Sequence, residues 1–178
     1  MMASALETHR PPMSSITLRF LAEPSAVNFG GKVHGGTVMK WIDEAGYACA
    51  TAWSKSYCVT VYVGGIRFHR PIRIGDLVEV EARLAYTGNT SMNISVEVRS
   101  GDIKTGVFET TTECLIVFVA VDRNGRPLPV DAWQPETPGE KIRRLERELA
   151  QARRENDELK MDREILKKAA AFFAKESE

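Results

Sequence analysis

The chain has 178 residues, 43% of them hydrophobic and 27% charged, with 24 Lys and Arg against 24 Asp and Glu. That is enough apolar material for one packed core plus an extension, and a formal net charge of zero gives no electrostatic reason to expect nucleic acid or an acidic membrane as partner. No stretch is long enough to span a bilayer, the start MMASALETHRPP lacks the apolar core of a signal peptide, and Cys49, Cys58 and Cys114 form no CxxC and no even-numbered disulfide framework, so the chain reads as cytoplasmic with reduced, buried thiols.

Residues 1–14 carry a proline pair and no periodicity, and are expected to be disordered. Ile16 to Leu21 alternates and is β-prone, which predicts a first strand ending at Pro24. Then Asn28, Gly30, Gly31, Gly35 and Gly36 cluster within nine residues. Glycine permits positive φ and close backbone approach, and a helix opening at such a loop directs free N–H groups and the positive end of its dipole at whatever lies there. The plain alternative is a turn; a phosphate loop is excluded because no GKS or GKT follows.

The helix is predicted from about Gly35 to Trp53. Val38, Met39, Trp41, Ile42, Ala45, Ala48, Cys49, Ala52 and Trp53 cover most of its circumference, and only Lys40, Asp43 and Glu44 are charged. A helix apolar all round is a buried helix, and an unpaired carboxylate is costly inside one. Met39, Asp43, Tyr47 and Ala50 share one stripe, whereas Asp43 and Glu44 are about 100° apart and cannot face the same way.

From Tyr57 the period becomes two. Val59, Val61 and Val63 lead through a bulge or kink at Gly64-Gly65 to Phe68, all expected in one long strand. A turn follows at Ile74 to Asp76, then strands from Leu77 to Thr87 and Ser91 to Arg99 joined at Gly88-Asn89, a turn at Ser100-Gly101-Asp102, and a β-rich run from Lys104 to Val121. The fold class is therefore α+β, a long antiparallel sheet wrapped around one central helix.

After Pro135 and Pro138 the pattern changes again. Ile142, Leu145, Leu149, Ala152, Asn156, Leu159, Arg163, Leu166, Ala170 and Phe173 recur at alternating steps of three and four, a heptad repeat with a polar Asn156 at an a position. Residues 131–140 are expected to be a linker and 141–175 a coiled-coil helix. Gly139 to Glu178 holds eleven basic and ten acidic residues, net +1, the balance of a solvated zipper and not of a DNA-binding arm.

The motifs Asn28-x-x-Gly31-x-x-His34-Gly35-Gly36, Met39 and Asp43-Glu44-Ala45-Gly46 resemble the opening of the acyl-CoA thioesterases with a hot-dog fold, in particular the bacterial short-chain and brain-type cytosolic acyl-CoA hydrolases. Thr60-Val61-x-Val63-x-Gly65-x-x-Phe68-x-x-Pro71, Val80, Gly88-x-Thr90-Ser91 and Phe118-Val119-Ala120-Val121-Asp122-x-x-Gly125-x-x-x-Pro129 follow in the same order. The resemblance covers about residues 15 to 130 and implies a hot-dog thioesterase domain there. The tail, Arg153 to Met161 and Ile165 to Lys175, resembles the zipper end of the small subunit of insertion-element transposases, without its helix-turn-helix half.

Thioester hydrolysis needs a water, a base and donors for the developing oxyanion. The resemblance implies Asp43 as general base, Asn28 holding the water or the thioester carbonyl, and the backbone N–H groups of Gly35 and Gly36 polarising the carbonyl oxygen. From the residues alone, Asp43 could equally be a structural acid and Asn28 a loop cap. The resemblance further implies that Asn28 and Asp43 of one site come from two subunits, so that a homodimer is the least active unit and a trimer of dimers the expected assembly. Thr60, Arg67, Thr90 and Ser91 are candidates for binding substrate and CoA, with Arg70 and Lys55 as further cations; Tyr62, Met92 and Phe68 are candidates for an acyl tunnel. His34 adjoins the glycines at a position where the family tolerates other residues, and no histidine and cysteine set has metal-ligand spacing. Acyl-CoA is the expected partner, with no separate cofactor, since coenzyme A belongs to substrate and product. The alternatives are an acyl-CoA-binding module without catalysis, or an interaction protein acting through the zipper.

Overall fold

The computed structural model describes residues 13–135, together with Lys141 and Lys160, which are both helical. The expected disordered start falls outside the described residues up to residue 12, as do residues 136–140 of the expected linker and, those two lysines apart, the heptad segment. The compact unit to which residues 13–134 belong ends at Gln134.

Strand β1 (Ser15–Leu21) leads through a short 3-10 turn at Pro24–Ala26 to helix α1 (Gly35–Ser54). Five strands follow: β2 (Cys58–Val63), β3 (Arg67–Phe68), β4 (Leu77–Thr87), β5 (Ser91–Asp102) and β6 (Val107–Ala120). All pairs are antiparallel in the order β1-β4-β5-β6-β2, with β3 also on β6. One helix packed against this sheet is the hot-dog architecture expected from the sequence.

The inner face of the sheet is made by alternate residues of β4, β5 and β6: Val78, Val80 and Ala82, then Met92, Ile94, Val96 and Val98, then Cys114, Ile116, Phe118 and Ala120, all buried. Each large side chain taken out of water there contributes about 1.5–3 kcal/mol. The helix answers with Val38, Trp41, Ile42, Ala45, Gly46, Cys49 and Ala50, and Trp41 stacks on Phe20 of β1 with ring centroids 5.0 Å apart. Gly46 marks the closest approach, since a Cβ there would lie 2.8 Å from Cε2 of the buried Phe118.

Four expectations are corrected. The helix is not buried all round: Gly36, Met39, Lys40, Asp43 and Tyr47 form an exposed face, with Met39 47% and Tyr47 37% exposed. Tyr57 to Phe68 is not one strand: β2 and β3 both pair with β6 but are separated by Gly64–Ile66, where the chain takes four steps from Val63 to Arg67 against three from Glu113 to Ile116. The extra residue is the bulge that the glycines signalled. The turn expected at Ser100-Gly101-Asp102 lies instead at 103–106, closed by Gly106 at φ +67°. Gly101 is a strand residue paired with Phe108, where a Cβ would fall 2.0 Å from the Val107 carbonyl oxygen; its glycine serves a close backbone approach and not a turn. Finally, the unit runs past residue 130, because Trp133 is 9% exposed and its N–H donates to Thr87 Oγ1 at 2.8 Å, while Val130 N–H donates to the Asn89 carbonyl at 3.0 Å.

Among the described residues no helix is long and apolar enough to cross a membrane.

Candidate active site

The glycine loop is held by its own asparagine. Val27 and Val33 form an isolated antiparallel bridge at its neck, and Asn28 N–H donates to the Lys32 carbonyl at 2.7 Å. Asn28 Oδ1 accepts from Gly30 N–H at 2.8 Å and Lys32 N–H at 3.2 Å, an Asx-type turn with Gly31 in the left-handed region at φ +72°. The carboxamide oxygen is thus committed to the loop. Nδ2 has only a long contact, 3.5 Å, to the Val33 carbonyl, so the group that Asn28 can offer a ligand is a donor. The loop-cap reading of Asn28 is what the structure shows, and it leaves Nδ2 as the atom with the weaker local partner.

The helix start differs from expectation at one of its two glycines. His34 is the N-cap, and its Nδ1 accepts from Gly36 N–H at 2.9 Å. That occupies one of the two amides expected to face a carbonyl. Gly35 N–H has no acceptor within the described residues, so it remains the free donor at the positive end of the helix dipole. Beside it lies a cavity of about 290 Å³ whose lining includes Gly35, Val38, Phe68, Arg70, Ile72 and Thr112.

Asp43 lies on the exposed helix face two turns further on, and its Oδ1 accepts a 2.7 Å hydrogen bond from Thr60 Oγ1 on β2. The close approach at Gly46, three residues later, draws the helix down onto β6 next to β2 and brings the two side chains into reach. Thr60, a sequence candidate for contacting substrate, therefore touches the acid itself. Nothing local in the sequence could show a contact between residues 17 apart; only the family segment containing Thr60 drew attention to it. Glu44, on the neighbouring face, is in an i,i+4 pair with Lys40 at 3.6 Å.

The other candidates are spread along the sheet. Arg67 on β3 is exposed, with no ion-pair partner among the described residues. Arg70 is already paired with Glu109, and His69 lies 3.5 Å from Glu113. Lys55 is exposed and caps the helix C-terminus in the left-handed conformation at φ 55°. Thr90 and Ser91 sit in the β4–β5 hairpin: the Thr90 carbonyl accepts from Ala120 N–H at 3.3 Å, and Ser91 faces Val119, which β2 flanks on its other side with Val59. Of the proposed tunnel residues, Met92 is wholly buried core, while Tyr62 and Phe68 are 53% exposed each. Among the described residues no group of three His, Cys, Asp or Glu could hold a metal ion.

Residues 30–107 match the model of the thioesterase superfamily. The acyl-CoA thioester hydrolase YciA of Escherichia coli K12 is 37% identical over 129 residues, which cover 70% of this chain and 98% of that protein. The crystal structure of an apo-hexameric acyl-CoA thioesterase superposes with a TM-score of 0.74 at 36% identity, over 80% of this chain and 90% of that one. An acyl-CoA hydrolase of Staphylococcus aureus, solved in complex with butyryl coenzyme A, coenzyme A and coenzyme A disulfide, superposes with a TM-score of 0.73 at 26% identity, over 85% and 93% of the two chains. It has also been solved with an aspartate, an asparagine and a threonine each replaced by alanine.

Proposed function

Because the chain belongs to the thioesterase superfamily and is an acyl-CoA thioester hydrolase, we propose that Asp43 is its general base, held by Thr60, and that Asn28 and Gly35 receive the thioester carbonyl. The observation that carries this is the 2.7 Å bond from Thr60 Oγ1 to Asp43 Oδ1 on an otherwise open helix face. The Thr60 hydroxyl donates to one carboxylate oxygen and leaves the other for a water. Asp43 takes a proton from that water as its oxygen attacks the carbonyl carbon. Charge develops on the carbonyl oxygen, which Gly35 N–H and Asn28 Nδ2 stabilise; one such donor is worth about 2.7–4 kcal/mol in the transition state. When the C–S bond breaks, the proton on Asp43 passes to the departing CoA sulfur, so the carboxylate is regenerated and no cofactor is consumed. The residue types replaced by alanine in the S. aureus enzyme support the choice of an acid, an amide and a hydroxyl.

The exposed stripe of Met39, Asp43 and Tyr47 runs beside the edge strand β2, whose Val61, Tyr62 and Val63 are 55%, 53% and 43% exposed. A twofold interface sets the same patch of two subunits against each other, and an unpaired strand edge beside an apolar face is open to such pairing. We assign it to a dimer in which Asn28 and Gly35 of one protomer complete the site around Asp43 of its partner, since Gly35 and Asp43 of one helix are about 12 Å apart, and we expect three dimers to form a hexamer, the assembly of its apo relative.

Complementation tests both statements. Release of CoA thiol by Asn28→Ala or Asp43→Ala alone should fall at least about a hundredfold with the fold intact. Chains co-expressed as a mixture of the two variants should recover activity, because a mixed dimer regenerates one complete site. No recovery places both residues in one chain, and wild-type turnover by Asp43→Ala removes it as the base. Thr60→Val belongs in the same series and should cost about tenfold or more in kcat, with Thr60→Ser restoring most of it.

A further inference from the structure

The acid stands between two openings, and β6 measures the distances. Phe68 pairs with Thr112, Thr60 with Phe118 and Cys58 with Ala120. The cavity at the helix start includes Thr112, six residues of β6 from the position that faces Thr60, or about 20 Å. A second cleft, of about 600 Å³, is walled by Tyr57, Val59, Val121 and Leu128, with Ser56 and Arg123 among its polar lining. Val121 is only three residues from Phe118, or about 10 Å.

The helix leads to the same place. Tyr47 follows Asp43 by one turn on the exposed stripe, and its ring meets that of Tyr57 edge-on, with centroids 6.2 Å apart and planes at 61°. The helix therefore meets this stretch of chain twice, first at Thr60 of β2 through Asp43 and then at Tyr57, just ahead of β2, through Tyr47. The two openings differ in chemistry. The one at the helix start sets His69 and Arg70, both with acidic neighbours, among Val33, Val38, Phe68 and Ile72, whereas the exposed wall of the cleft beyond Tyr57 is the more apolar, formed by Tyr57, Val59, Val121 and Leu128 with Asp122 and Arg123 beside them. An acyl chain gains with every methylene removed from water and is drawn to the second.

We propose that Tyr47 is a specificity-determining residue: the acyl chain of the bound thioester runs from Asp43 across the Tyr47–Tyr57 pair into the cleft at Val59, Val121 and Leu128, and the Tyr47 ring sets the length that fits. This rests on Asp43 marking the thioester end of the substrate.

The test is kcat/KM of the full chain for butyryl-, octanoyl- and palmitoyl-CoA in wild type, Tyr47→Ala and Tyr47→Trp, with assembly followed by sedimentation. The palmitoyl-to-butyryl ratio should rise at least about tenfold in Tyr47→Ala and fall at least about tenfold in Tyr47→Trp. A ratio that stays constant in both variants, with all substrates falling together or the oligomer dissociating, limits Tyr47 to the dimer contact and overturns the inference. Should these variants not fold, Tyr57→Ala and Tyr57→Trp, just ahead of β2, face the same criterion. Wild-type chain that hydrolyses none of the three substrates would instead sink the underlying assignment of Asp43.

Discussion

Two ionisable residues of α1 show how differently one helix treats its side chains. Asp43 is exposed and bonded to Thr60, whereas Cys49, six residues on, is 0% exposed, with its thiol 3.7 Å from the Ser14 carbonyl. Burial pushes the Cys49 thiol from its ordinary 9.0 up to about 12, against a smaller lowering by a backbone hydrogen bond, and burial also raises Cys114. Below pH 9 both folded and unfolded chains hold the Cys49 proton, so its contribution to stability is intact. Between about 9 and 12 the unfolded chain releases that proton first, and stability falls as pH rises. Urea midpoints should therefore drop from pH 8 to pH 11, and Cys49→Ala should show a shallower drop; an equal slope in both chains would refute the assignment. At this scale the sequence was readable for identity but not for exposure. Met39 and Tyr47 look like core residues in a periodicity count, because an apolar side chain facing outward has the same letter as one facing in. The cap at His34 was equally hidden, since histidine has no strong preference for that position.

Elements were read better than their junctions. The strand Leu77–Thr87 was expected with the bounds observed, because period-two alternation and a following Gly88-Asn89 both report on it. The end of β5 was missed because a Ser-Gly-Asp triplet normally breaks a strand, and whether a glycine bends the chain or admits another backbone depends on a partner outside the triplet. Gly46 makes the same point within the helix. Alanine there would gain about 1 kcal/mol in helix propensity, but its Cβ would meet Phe118 Cε2 at 2.8 Å and Ile116 Cγ2 at 3.1 Å, both side chains fully buried. Overpacking of that kind costs about 1–3 kcal/mol. Gly46→Ala should therefore lower the denaturation midpoint despite its better propensity, and a chain stabilised by the change would show that helix and sheet are not in contact there.

On the scale of the molecule, the core is closed by the first strand and by the segment that follows the last. β1 brings Phe20 to Trp41, and the segment after β6 returns along the sheet: Leu128 N–H donates to the Ala120 carbonyl at 2.8 Å, Trp53 Nε1 to the Asp131 carbonyl at 3.1 Å, and Trp133 N–H to Thr87 at 2.8 Å. A chain ending after Gln134 should keep the melting transition of this unit. One ending after Val130 loses a buried tryptophan, a change that costs about 3–5 kcal/mol, and should melt lower by on the order of ten degrees. Equal melting of the two would mean that Trp133 only rests on the surface. The placement of the tryptophans also gives the protein its own optical signal. Its three indoles lie at three joints of one structure: Trp41 between helix and first strand, Trp53 at the helix end, Trp133 at the closing segment. Unfolding carries all three from an apolar or bonded setting into water, so the red shift of intrinsic emission follows closure of the whole core. Replacing Trp133 by phenylalanine divides that emission between the closing segment and the helix.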